Sequence, residues 1–425
     1  MSNNKNENHL EAEYENSPVP LSARKSLWSV TMIWLGFPMI ISVSAIGALL
    51  VTSLGFYKGI MAILLGNFIL FSYVGLLGVL GTRKGYNFTL QSSVTFGKKG
   101  AKVVSALLST LVIGWFAVQV GMVGDRVHQA FGSNIFLITL LAGIAYLILT
   151  LFGIKALTYI GIISAPLFFL VGTWVSYEVI AKVGWEVISS SEGNNAFSFG
   201  TGLTIVVGTF LDSGTLTSDF NRWSKNSKES VFATFSAFPF ANSVALIFGA
   251  VLAGAAMKNP DVFLFLTNKG SAAWSVFALI VLVINLGSVC AHCLYNGAVG
   301  WAAILGGKMR STATVLGIIG TIIAISGIWA YFDKWLIMLG VIIPSIGAII
   351  IVDQFIVRKG ASIASASSLY NSKAFVAWAI GAVSGIITEV YIPSLSTAVI
   401  TMLLGGGAYY LLTLKTKEQW VPEKE

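Results

Sequence analysis

The sequence predicts an all-α integral membrane protein of twelve transmembrane helices. The first ten form two five-span halves of opposite orientation, and two more spans follow. Three observations predict this. Of 425 residues, 56% are hydrophobic and 10% charged, against about 25% charged in soluble domains. Twelve stretches reach the roughly 20 apolar residues that a helix needs to cross hydrocarbon. The two stretches interrupted near their middles are the first and the sixth, which lead the two halves.

The expected spans are 27–53, 57–81, 101–130, 135–153, 156–181, 200–220, 230–257, 272–304, 311–331, 334–356, 374–391 and 394–414. Most linkers are short; the longest polar ones are 82–100 and 182–198. With the N-terminus inside, the inner segments hold 20 of the 26 Lys and Arg residues and the outer segments 6. Basic residues favour cytoplasmic loops, so this asymmetry supports both the count and the direction. An even count puts both termini in the cytoplasm. Residues 1–26 are polar and acidic, without the apolar core of a signal peptide, and read as a disordered cytoplasmic tail. Residues 27–357 read as the ten-span core, and 358–425 as spans 11 and 12 with a cytoplasmic tail.

Span 1 carries Leu35-Gly36-Phe37-Pro38 near its middle, and span 6 carries Asp212-Ser213-Gly214. Proline removes a backbone donor and clashes with the preceding turn, and glycine lowers the cost of leaving helical geometry. Five spans is an odd number, so the second half is inverted relative to the first. Paired broken helices in an inverted repeat point to a transport site at the midplane. Asp212 lies where a carboxylate costs roughly 3 kcal/mol or more to insert, which marks it as a functional candidate.

Other spans carry polar groups. In span 3, Trp115 and Gln119 are four apart and share a helix face. An indole face beside an amide suits stacking and edge-bonding of a flat heterocycle; a core tryptophan with an interhelical amide bond is the plainer reading. In span 8, Asn285, Ser288, His292, Tyr295 and Asn296 can all hydrogen-bond. Asn285 and Ser288 offer oxygens to a cation. His292 is a proton-carrier candidate, though such a histidine more often bonds a neighbouring helix. Asp219 with Arg222 suggests a helix-end pair, and Asp353 an anchor for span 10. The two cysteines, Cys290 and Cys293, share one span and form no disulfide framework.

The net charge of +8 is not arranged as a nucleic-acid surface, because the charges sit in loops between apolar spans. An enzyme needs a reactive cluster of His and carboxylates at one membrane face, and no such cluster is evident. No repeated carbonyl motif or ring of charges suggests a channel filter.

Several ordered motifs carry a resemblance. They are Pro18-Val19-Pro20 with Ser22-Ala23-Arg24-Lys25, Leu65-Gly66-Asn67, Phe96-Gly97 through Gly100, Gly114-Trp115-Phe116, Gly153-Ile154-Lys155-Ala156-Leu157, and above all Ser213-Gly214-Thr215-Leu216-Thr217 with Asp219-Phe220. Over nearly the whole chain the sequence resembles the nucleobase:cation symporter-1 family, and within it the bacterial cytosine permeases most closely. The resemblance implies a leucine-transporter-like architecture and alternating access. It implies Trp115 as the stacking residue, Thr209, Phe210 and Asp212 in the substrate segment of span 6, and Cys290 at a base-binding position. It also implies a sodium site from the carbonyls of Gly36 and Met39 with Asn285, Ser288 and Val289.

Three positions depart from the cytosine permeases: Asp212 replaces a serine, Cys290 an asparagine and Val289 a hydroxyl residue. Gln119, in contrast, matches hydantoin-type relatives. The expectation is a secondary symporter in the cytoplasmic membrane that imports a nucleobase with sodium or protons, Asp212 or His292 being the proton carrier in the second case. The alternative cargo is hydantoin, allantoin or a cationic vitamin precursor. No cofactor beyond a sodium ion is expected; the partners are the small-molecule substrate, the coupling cation and the bilayer.

Overall fold

A computed structural model describes residues 12–257, 260–359 and 368–414. The expected tails at 1–11 and 415–425 lie outside the described residues. Among the described residues, seven helices are long and apolar enough to cross a membrane: Phe56–Lys84, Gly100–Phe131, Ile154–Val183, Ser227–Gly254, Ala272–Leu305, Lys334–Val357 and Ser372–Tyr391. Four shorter apolar helices, Ile135–Thr150, Phe199–Gly208, Met309–Ile325 and Thr397–Thr413, supply spans 4, 6, 9 and 12. Span 1 is a bent pair, Leu27–Gly36 and Ile41–Leu54, with 54° between the halves. Together these are the twelve expected spans.

The break in span 1 falls where Gly-Phe-Pro places it. Pro38 ends the ladder, and Ile40 is extended at φ −134° and ψ 152° before the second half starts. Span 5 packs on this region at backbone distance: a Cβ on Gly36 would come within 2.4 Å of Gly161 Cα. Small residues permit such helix contacts in membranes.

Span 6 breaks one turn earlier than Asp212-Ser213-Gly214 suggests. Helix Phe199–Gly208 ends, Thr209 and Phe210 intervene, and Leu211–Thr215 is helical again. Two local causes are visible. The Thr209 hydroxyl turns back on the Val206 carbonyl at 2.6 Å, and Phe210 leaves helical geometry at φ −139° and ψ 27°. Ser218–Asn221 completes the span.

Three short helices lie in segments expected to be linkers: Phe88–Phe96, Trp185–Ser189 and Val262–Thr267. The first is largely buried and lies across one end of the bundle. Asp353 anchors it, accepting from Thr95 Oγ1 at 2.7 Å and from Tyr409 in span 12 at 2.8 Å, with Arg358 as its ion-pair partner. Span 10 is thereby tied to span 12 as well.

Two expectations are corrected. Residues 12–26 are not a disordered tail: Glu13 and Val19 are each only 2% exposed, and residues 21–23 form a turn of 3₁₀ helix. The physical reason is specific anchoring at one end of the bundle, where Arg222 donates to the Glu13 and Tyr14 carbonyls, both at 2.8 Å. Asp219 and Arg222 do not form a direct side-chain pair either. Arg222 Nε donates to the backbone carbonyl of Asp219 at 3.2 Å, and the Asp219 carboxylate accepts from Phe88 N at 2.9 Å.

Candidate substrate and cation sites

The two breaks meet through aromatic rings. Phe37 of span 1 lies edge-on to Phe210 of span 6 at 5.0 Å between centroids. Phe210 in turn lies parallel to Trp115 of span 3, at 6.4 Å and 8°. Asp212, fully buried, sits one residue into the second half of span 6. Its Oδ1 accepts from Ser213 N at 2.7 Å and Ser213 Oγ at 3.3 Å. The Trp115 side chain of span 3 approaches the Asp212 carboxylate. Asp212 Oδ2 has no protein partner among the described residues. The same holds for both polar atoms of Gln119, one turn along span 3 and equally buried. A buried amide or carboxylate oxygen without a partner costs about 1–3 kcal/mol or more. The span 6 break thus pairs flat aromatic surfaces with unmet hydrogen-bonding capacity.

Two further expected substrate residues are buried. Thr209 faces structural partners: it accepts from Asn242 Nδ2 at 3.2 Å while donating to Val206. Cys290 and Cys293 are both buried free thiols of span 8.

The second cluster sits at the span 1 break. Ser288 Oγ donates to the Gly36 carbonyl at 2.7 Å. Asn285 Nδ2 donates to the Met39 carbonyl at 2.8 Å and to Ser164 Oγ at 3.1 Å. Asn285 Oδ1 accepts from Ile41 N at 2.7 Å, capping the second half of span 1. All four expected residues are therefore together. Val289 is buried in the same turn of span 8 and brings no side-chain oxygen. His292 is separate in role: its ring stacks on Phe37 at 4.8 Å and 13°, and Nδ1 meets the Ser288 carbonyl at 2.7 Å. No hydrogen bond joins it to Asp212 among the described residues.

A helical membrane bundle with two mid-span breaks meeting at a buried polar and aromatic site is the architecture of a secondary transporter. The chain belongs to the family described as permease for cytosine/purines, uracil, thiamine, allantoin, whose profile matches residues 18–412. It is 31% identical over 404 residues to the cytosine permease of Escherichia coli strain K12, covering 94% of this chain and 93% of that one. It is 22% identical over 193 residues to the hydantoin permease of Microbacterium maritypicum, covering 43% and 39%. Among solved structures, it matches Mhp1, a nucleobase-cation-symport-1 family transporter, in a closed conformation with bromovinylhydantoin bound. That match has a TM-score of 0.80, 18% identity and 97% coverage of each chain. A Na+-coupled sialic acid symporter matches with a TM-score of 0.71 at 10% identity, over 97% of this chain and 93% of that one. The protein is thus a multi-pass membrane permease, and its work is transport rather than enzymatic catalysis.

Proposed function

We propose that this permease imports a nucleobase or nucleobase-like heterocycle across the cytoplasmic membrane by cation symport, with both termini on the cytoplasmic side. One observation carries the reading: the parallel Trp115 and Phe210 rings, 6.4 Å apart, beside the unpartnered Asp212 Oδ2 and Gln119 amide. A flat ring needs about 3.5 Å to each face. A ring between them needs the two planes to stand about 7 Å apart, and its edge then takes the waiting hydrogen bonds. The amide offers both donor and acceptor, and an ionised carboxylate only accepts. A ring with adjacent N–H donors therefore suits Asp212 better than the serine found there in cytosine permeases.

The coupling cation fits the span 1 break. Gly36 and Met39 present carbonyl oxygens released from the helix ladder, and Ser288 Oγ joins them. Sodium is the reading these oxygens support. Proton coupling through Asp212 is the alternative that the missing hydroxyl at Val289 favours. Alternating access follows from the breaks: span halves pivot where the ladder is already open.

The test is uptake of radiolabelled cytosine, purines, hydantoin and allantoin in a host lacking its own transporters, with sodium and pH varied independently. Saturable, cation-dependent accumulation of at least one ring compound is expected. No accumulation of any of them overturns the reading.

A further inference from the structure

The cytoplasmic face is closed by a residue that the substrate and cation sites do not use. Glu13 reaches into the bundle and binds several spans at once. Its Oε1 accepts from Ile154 N, at the start of span 5, at 3.1 Å. Its Oε2 accepts from the Tyr295 hydroxyl, in span 8, at 2.9 Å. Arg310 of span 9 stands 3.8 Å from Oε1. Arg222, at the end of span 6 and fully buried, donates to the Glu13 carbonyl. Gly153 makes room for the carboxylate: a Cβ there would lie 1.8 Å from Glu13 Oε1, and its φ of +71° also favours glycine.

The flanking residues extend the seam. Tyr14 packs edge-on against Trp223. Glu15 Oε1 accepts from Met309 N at 2.7 Å, and its carbonyl accepts from Asn87 Nδ2 at 2.6 Å. Arg24 donates to the carbonyls of Thr82 and Ser224, at 2.7 and 3.0 Å. The segment thus spans the ends of spans 2, 5, 6, 8 and 9. Burial raises the Glu13 carboxyl above its usual range, opposed by Tyr295, Ile154 N–H, Arg222 and Arg310. A carboxylate held against desolvation by partners from four separate spans is a poor choice for mere packing.

We propose that Glu13 is a positioning residue of the cytoplasmic gate: the segment around it latches spans 5, 6, 8 and 9 together, and it must release before the transport site can open inward. This rests on the transport reading, since a gate has meaning only where a substrate passes. Tyr295 links the latch to the site, because it lies three residues beyond His292 and seven beyond Ser288 on one helix.

The test uses the buried native thiols Cys290 and Cys293 as reporters of inward opening. A charged methanethiosulfonate reagent is applied to inside-out and to right-side-out membrane vesicles carrying wild-type protein, Glu13→Ala, Glu13→Gln or Tyr295→Phe. Losing the latch is expected to speed labelling from the cytoplasmic side by about tenfold in Glu13→Ala. Tyr295→Phe and Glu13→Gln, which each keep some of the contacts, are expected to fall between. Labelling from the outer side stays unchanged or slows. Equal acceleration from both sides means general loosening and overturns the proposal, as does unchanged cytoplasmic labelling in a Glu13→Ala protein of wild-type melting temperature. Neither readout involves a substrate. One-sided acceleration without uptake of any ring compound would therefore keep the latch and reject the transport reading.

Discussion

The two broken spans solve the same problem in opposite ways. At the span 1 break, the freed backbone groups already have partners. Asn285 caps Ile41 N and donates to the Met39 carbonyl, and Ser288 donates to the Gly36 carbonyl. At the span 6 break, the backbone is also accommodated, but side-chain groups are left over. Asp212 Oδ2 and both polar atoms of Gln119 are buried without protein partners among the described residues. Buried polar groups are ordinarily satisfied. The difference favours the span 6 break as the one that takes an organic ligand in the proposed function. One is closed on itself and can exchange a hydrogen bond for a small cation. The other leaves parallel aromatic faces beside unmet polar groups.

Removing the Trp115 ring face is expected to give the largest effect. Base–aromatic stacking contributes about 1–3 kcal/mol, so Trp115→Ala is expected to weaken substrate binding by about 5–150-fold. Equilibrium binding to purified protein measures this. A comparable loss on altering span 1 instead would erase the contrast between the two breaks. The converse variant, Asn285→Ala, is expected to act on stability first. It leaves the Ile41 N–H and Met39 carbonyl without their partner, at about 1–3 kcal/mol for each group left unpaired. A lower melting temperature with a smaller change in substrate affinity than Trp115→Ala sharpens the comparison; the reverse order breaks it.

The span 1 break was legible because its cause is covalent. Proline forbids the ladder wherever it lies, so Gly36-Phe37-Pro38 fixes the position. The span 6 break was misplaced by a turn because its cause is side-chain geometry. Thr209 bonding to Val206 and the non-helical Phe210 leave no mark in composition, whereas Asp212-Ser213-Gly214 draws attention and is helical. The candidates on long helices stood out by spacing for Trp115 with Gln119, and by the density of polar groups in span 8 for Asn285 with Ser288. Thr209 and Cys290 came from family position alone, and the fold hydrogen-bonds Thr209 to Asn242.

The N-terminal segment was misread for a related reason. A polar, acidic stretch reads as solvated, and only contacts far along the chain bury it. Glu13 meets Tyr295 across 282 positions, which no local pattern announces. The helix Phe88–Phe96 escaped in the same way, since its polar residues are buried by partners such as Asp219, Asp353 and Gln354.

The central claim is that the span 6 break, through Asp212, holds the edge of the substrate. Its most direct test is equilibrium binding of a nucleobase panel to purified wild-type protein and to Asp212→Asn, with and without sodium. A hydrogen bond to a charged group contributes about 1.5–3 kcal/mol. The account predicts that Asp212→Asn weakens the best wild-type ligand by about 10–150-fold and changes the order of preference toward rings with fewer adjacent N–H donors. The same affinities in the same order for both proteins would contradict it, and would leave Asp212 as a buried acid that serves the fold alone.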